Sequence, residues 1–284
     1  MRLYEFISNS GPNLRGDYSQ ARADFTLEQD PARYTADEHA LWRRLYARQM
    51  TLLPGYAFDT FLAYLGDLDA GESIPDFAPV SDRLQRATGW RIVAVPGLIP
   101  DLAFFDHLAH RRFPVTVWLR TPEEFDYIVE PDVFHDFFGH VPLLFDPAFA
   151  DYMQAYGRGG LKAARLDALT MLARLYWYTV EFGLIRTPQG LRVFGAGILS
   201  SGGEVVHAID RPQPRRIGFD LARILRTDYR IDRFQDCYFA IEGFARLVAD
   251  TAPDFTPLYE RLRELPAHAP DAELPTDQLV EDRT

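Results

Sequence analysis

The stretch 167–185 constrains the fold more than any other part of the chain. Helix formers and aromatics run through it, and almost no side of it is polar. A helix that is apolar all round belongs in a protein interior rather than on a surface. Within Leu175-Tyr176-Trp177-Tyr178-Thr179-Val180-Glu181-Phe182-Gly183-Leu184 stands a single acid, Glu181. Burying an isolated charge is very costly, so this carboxylate must be paired, protonated or bound to a metal. With 30 Lys+Arg in the chain, an arginine partner is the plain alternative.

A second feature bears on that choice. Glu130-Pro131-Asp132-Val133-Phe134-His135-Asp136-Phe137-Phe138-Gly139-His140-Val141-Pro142 places two histidines five residues apart among large apolar side chains. Histidine is the commonest metal ligand. Two His and one carboxylate with the remaining positions open is the ligand set of non-haem Fe(II) oxygenases. The same three ligands with a bound water would serve a zinc hydrolase. Two core histidines bonded to backbone, or a structural metal in a non-enzymatic helical module, are the readings without chemistry. The spacing needs an explanation, because positions five apart on an ideal α-helix diverge by about 140°. Gly139 offers one: a left-handed glycine ends a helix and redirects the chain. His135 is then expected on a short helix and His140 at or just past its end.

Together with Val193-Phe194-Gly195-Ala196-Gly197-Ile198-Leu199-Ser200-Ser201-Gly202-Gly203-Glu204, these motifs resemble the pterin-dependent aromatic amino acid hydroxylases. The resemblance runs from about Tyr34 to about Thr256. It implies that family's catalytic-domain fold and a monooxygenase that uses Fe(II), tetrahydrobiopterin or a related tetrahydropterin, and O₂. The metal ligands it implies are His135, His140 and Glu181. Asp136 matches an acid that reaches the pterin through water, and Tyr176 a tyrosine close to the iron. Arg120 and Ser200 match positions at the carboxylate and amino end of the substrate, and Trp177 and Phe182 wall its aromatic pocket. Gly97, Leu98 and Ile99 would offer backbone to the pterin edge, with Phe104 stacked on its ring. Ile231 aligns where members acting on tyrosine have aspartate. An apolar residue there resembles the members acting on phenylalanine, so conversion of L-phenylalanine to L-tyrosine is expected. Hydroxylation of tryptophan or tyrosine is the alternative within the family. The length resembles the short bacterial members, for which a monomer is expected.

Composition limits the other possibilities. Hydrophobic residues make up 47% and the net charge is −11, which suits a large core and leaves nucleic acid without a basic surface to meet. The basic pairs Arg111-Arg112 and Arg215-Arg216 read as solvated surface. Cys237 is the one cysteine, which excludes an intramolecular disulfide and fits a reducing cytoplasm. No signal pattern opens the sequence, and no charge-free apolar run of about 18 residues occurs, so no membrane partner is expected. The glycines at 195, 197, 202 and 203 form neither a P-loop nor a dinucleotide fingerprint.

The expected organisation is one mainly helical catalytic domain over 34–265 with a few short β-strands. An irregular arm, 1–33, precedes it and a disordered, Pro- and acid-rich tail, 266–284, follows it. Thr35-Ala36-Asp37-Glu38 is a capping-box pattern opening a helix to about Leu53. A second helix is expected over 56–65. Strands are expected at 91–95 and 115–119, with a helix from Asp101 to about Arg111 between them. Further helices are expected at 132–138, 147–156, 161–185, 220–226 and 236–249, and small strands at 192–194 and 216–219. His107 and His110 read as a polar helix face, and His207 as a satisfied core histidine.

Overall fold

The computed structural model describes residues 14–280. The first 13 residues of the expected arm, and the last four of the expected tail, lie outside them. Helix α1 (Ala36–Leu52) opens with the expected capping box: the Thr35 hydroxyl accepts from the Glu38 N–H, and the Glu38 carboxylate accepts from the Thr35 N–H. Helices α2 (Asp59–Leu68) and α3 (Phe77–Ala87) follow. Strand β1 (Arg91–Val95), helix α4 (Asp101–Ala109) and strand β2 (Arg112–Thr116) form a parallel β-α-β unit. The second strand therefore begins three residues before its expected start. Arg111 takes a left-handed turn (φ 54°), which brings Arg112 opposite Arg91 and fixes the register.

Helix α5 (Pro147–Arg165) crosses α4 closely. A Cβ added at Gly157 would lie 2.4 Å from the Ala109 nitrogen, and one at Gly160 2.0 Å from the Phe105 ring. Only glycine permits that approach. The long helix expected over 161–185 is broken at Asp167, whose φ is 52°. It resumes as α6 (Leu169–Tyr176) and runs on into a π-helical turn, Trp177–Glu181.

A four-stranded sheet in the order β4-β3-β6-β5 closes the far side. It is built from β3 (Leu184–Thr187), β4 (Gly190–Val193), β5 (Arg215–Gly218) and β6 (Cys237–Ile241). The short helices α7 (Ala196–Leu199), α8 (Glu204–Asp210) and α9 (Leu221–Leu225) connect these strands. Helices α10 (Phe244–Thr251) and α11 (Thr256–Arg263) come last. The expected helix over 236–249 is thus half strand. All five residues of β6 are buried, and a strand flanked on both sides reads as a continuous apolar run, as a buried helix does.

Residues 266–280 are not a loose tail. Leu279 pairs with Ile217 beside β5, Val280 is buried, and the Asp277 side chain is 2% exposed between Arg215 and Arg223. His107 also departs from expectation. It is fully buried, and its Nε2 lies 2.8 Å from the Asp24 carbonyl, while His110 stays on the surface. His207 and Cys237 fall in or beside the core as expected. Among the described residues no helix is long and apolar enough to cross a membrane.

Candidate metal centre and its two hollows

Both candidate ligand segments are π-helical, which answers the spacing problem differently from the sequence reading. Residues Phe134–His140 form one π-helical segment and Trp177–Glu181 the other. Hydrogen bonds that close five residues back stack residues five apart above one another. The Phe182 N–H donates to the Trp177 carbonyl at 2.8 Å in this way. His135 and His140 therefore share a face, and so do Tyr176 and Glu181. Gly139 does not end the helix in a left-handed residue. It lies within the segment, where a Cβ would sit 2.9 Å from that of Ala196, so the glycine lets α7 pack against the ligand turn.

The first segment is fixed by its apolar side chains. Phe134, Phe137 and Phe138 are fully buried, and they meet Trp42, Tyr46, Phe61 and Phe77 from α1, α2 and α3. Its start is held by Asp132, whose Oδ1 accepts from the His135 N–H at 2.9 Å. The second segment brings Glu181 beneath the histidines.

The three ligand atoms converge. His135 Nε2 and His140 Nε2 are 3.2 Å apart, and the Glu181 oxygens lie 3.5 Å from the first and 3.3 Å from the second. Ligands at right angles on bonds of about 2.1 Å are separated by about 3 Å, so the group fits a single transition-metal ion. The tautomer fits as well. The Ser200 hydroxyl donates to the Ala196 carbonyl at 2.8 Å, so it accepts from His135 Nδ1 at 2.9 Å. That puts the proton on Nδ1 and leaves the Nε2 lone pair facing the centre. Burial holds the His135 imidazole down to about 4, which keeps it neutral. Burial pushes the Glu181 carboxyl up, while a positive charge on the facing His140 or His135 draws it below its usual range. Among the described residues its ion-pair partners are the two histidines and no arginine; Arg174 on the same buried helix pairs with Asp228.

A hollow opens on each side of the triad. The first, about 960 Å³, is lined by Gly97, Leu98, Ile99, Phe104, Asp136 and Tyr176, among others. Phe104 stands edge-on to Tyr176 with ring centroids 5.8 Å apart. Asp136 accepts from the Thr116 N–H at the end of β2, and burial pushes its carboxyl up to about 7. The middle of the 97–99 loop is already committed: the Leu98 carbonyl accepts from the Tyr18 hydroxyl, and its N–H faces the Glu130 carboxyl. The Leu98 carbonyl keeps one lone pair, and Gly97 and Ile99 line the same hollow on either side of it.

The second hollow, about 870 Å³, is lined by Arg120, Trp177, Phe182, Ser200, Glu204 and Ile231, among others. Arg120 is held in a fork, its Nε and Nη2 donating to the two oxygens of Asp132 at 2.8 and 2.9 Å. Burial would raise the Asp132 carboxyl, but the guanidinium outweighs burial and holds it low. Trp177 stacks on Tyr229 at 4.2 Å and lies 4.5 Å from Phe182, its neighbour five residues on. His135, Glu181 and Trp177 line both hollows.

The structure thus gathers the candidate metal, cofactor and substrate residues around one centre, and leaves His107, His110 and His207 outside it. Sequence reasoning missed Asp132, Glu204 and Gln235. Of these only Asp132 carried a signal, as a second acid within the histidine motif.

A helical domain with an open two-histidine, one-carboxylate centre has the ligand set of the non-haem iron oxygenases. Comparison with known proteins narrows the class. A family model described as biopterin-dependent aromatic amino acid hydroxylase matches residues 22–260. A phenylalanine-4-hydroxylase of Ralstonia nicotianae is 63% identical over 251 residues, spanning 88% of this chain and 80% of its own. One of Caulobacter vibrioides is 57% identical, spanning 89% of this chain and 87% of its own. The crystal structure of phenylalanine hydroxylase from Chromobacterium violaceum bound to cobalt superposes with a TM-score of 0.90 at 56% identity. That match covers 92% of this chain and 95% of the other. The chain belongs to the biopterin-dependent aromatic amino acid hydroxylases.

Proposed function

We propose that this protein is a monooxygenase that converts L-phenylalanine to L-tyrosine with O₂ and a tetrahydropterin, at Fe(II) held by His135, His140 and Glu181. The observation that supports it best is the placing of two separate hollows against one triad, a site each for cofactor and amino acid. Iron and tetrahydropterin, when bound, supply the electrons that activate O₂, which reacts slowly with closed-shell molecules on its own.

The chain's own residues do the rest. Phe104 offers a ring face to a flat cofactor, Gly97 and Ile99 offer backbone groups to its edge, and the Asp136 carboxyl faces the same space. On the other side Arg120 receives the substrate carboxylate with the N–H donors that Asp132 leaves free. Because Asp132 also holds the His135 N–H, the amino-acid anchor and a metal ligand are referenced to one carboxylate. Trp177 and Phe182 hold the phenyl ring and exclude water from the reacting carbon. Ser200 lines this hollow, and its hydroxyl keeps His135 in the ligating tautomer. Ile231 gives the pocket an apolar face where a charged residue would disfavour a phenyl ring. Tyr176 packs beside His140 and closes the metal off from bulk solvent.

The protein is further proposed to act as a monomer in the cytoplasm. Its lone cysteine is buried and unpaired, and three of its exposed large hydrophobics (Tyr127, Val129 and Phe234) line the second hollow. Metal-free protein given Fe(II), tetrahydrobiopterin and L-phenylalanine under air should form tyrosine, and omission of any one component should stop it. Turnover of tryptophan alone would move the specificity. No turnover of phenylalanine, tyrosine or tryptophan by iron-loaded protein would overturn the reading.

A further inference from the structure

Gln235 stands where the second hollow's two walls meet, and each of its polar groups has a partner. Its side-chain oxygen accepts from the Trp177 indole N–H at 2.9 Å. Its side-chain nitrogen donates to the carbonyls of Arg230 at 2.9 Å and Arg233 at 3.3 Å, on either side of Ile231. Its backbone N–H donates to Glu204, and its carbonyl lies 3.1 Å from His207 Nε2. The amide orientation follows from chemistry, since an indole only donates and a carbonyl only accepts. The residue is 4% exposed, so none of these bonds has water as a ready substitute.

Gln235 therefore couples two things that shape the amino-acid pocket. One is the Trp177 plane, stacked on Tyr229 and tilted by 35° to Phe182. The other is the 230–234 loop that carries Ile231, whose carbonyl is held from the opposite rim by the Tyr127 hydroxyl. We propose that Gln235 is a positioning residue for amino-acid specificity, setting the distance between the aromatic wall and the Ile231 face. This rests on the phenylalanine reading of the second hollow. The first hollow meets it only through Trp177, since none of Gln235's other partners lines that side.

Two substitutions separate the bonds. In Gln235→Glu a carboxylate still accepts from Trp177 but faces two carbonyl oxygens instead of donating to them. In Gln235→Leu both halves are lost. Measured on iron-loaded protein, Gln235→Glu should raise KM for L-phenylalanine by about tenfold, which corresponds to about 1.4 kcal/mol. Fewer tyrosines should form per pterin oxidised, preference should shift toward tryptophan, and KM for the pterin should stay unchanged. Amide hydrogen exchange over 230–234 should quicken in the same protein. Should Gln235→Leu fail to fold, Trp177→Phe tests the other bond. Its effect on KM should be non-additive with that of Gln235→Glu.

Wild-type exchange and KM in a folded Gln235→Glu would overturn the proposal. So would faster exchange with unchanged KM and substrate preference, since Gln235 would then be a fold staple and nothing more. If wild-type protein fails to turn over phenylalanine, the proposed function falls. The exchange rates would still decide whether Gln235 pins the loop.

Discussion

The two hollows share His135, Glu181 and Trp177 yet are built on opposite principles. The first is walled largely by ring faces and backbone, and one of its acids, Asp136, is held by Thr116 alone, through its N–H and its side chain. The second is walled by a polar network set before any ligand arrives: Arg120 donates to Asp132, Glu204 accepts from Tyr238 and the Gln235 N–H, and Gln235 accepts from Trp177. The difference teaches what each is prepared to hold. A flat, uncharged cofactor needs apolar area and a few edge contacts. A zwitterionic amino acid needs fixed charge, and charge in an interior must be paired in advance or it destabilises the fold.

That contrast can be broken in graded ways. The largest effect removes what the hollows have in common. Glu181→Ala should lose stoichiometric iron and all turnover while circular dichroism stays native; retained iron would remove Glu181 from the ligand set. Next, Arg120→Ala strands the buried Asp132 charge, whose side chain is fully shielded from solvent. It should cost about 3–5 kcal/mol in a denaturant titration and also raise KM for phenylalanine. A collapsed kcat with unchanged KM would contradict the anchoring role. Ser200→Ala deprives His135 Nδ1 of its acceptor and should weaken metal binding by about 10–100-fold in a chelator competition. A wild-type affinity would mean that the tautomer is set elsewhere. The smallest effect belongs to the first hollow alone. Phe104→Ala should raise KM for the pterin by about 3–10-fold, the scale of one aromatic contact, and leave phenylalanine unaffected. An equal rise in both would show that the hollows are not independent.

The ligands themselves were legible in the sequence, because a lone acid in an apolar run and two apolar-flanked histidines are local patterns. The turn that brings the histidines together was not. An α-helix and a π-helix draw on the same residues, and their difference lies in which carbonyl each N–H selects, so Gly139 looked like a terminator. β6 was read as helix because burial on both faces erases the alternation that marks a strand. Asp277 sat in an acidic, proline-rich end that reads as disorder, yet its partners Arg223 and Arg215 lie 54 and 62 positions upstream. Gln235 was invisible for the same reason: its value comes from Trp177, 58 positions away. Local chemistry shows in a sequence, whereas the pairing that completes a site is a property of the fold.

Two hollows against one triad should let two ligands bind at the same time. The direct test is anaerobic calorimetry of Fe(II)-loaded protein, titrating L-phenylalanine with and without saturating tetrahydrobiopterin. One phenylalanine per chain should bind in both titrations. Phenylalanine binding abolished by the pterin would mean that both compete for a single hollow, and the two-hollow arrangement would fall.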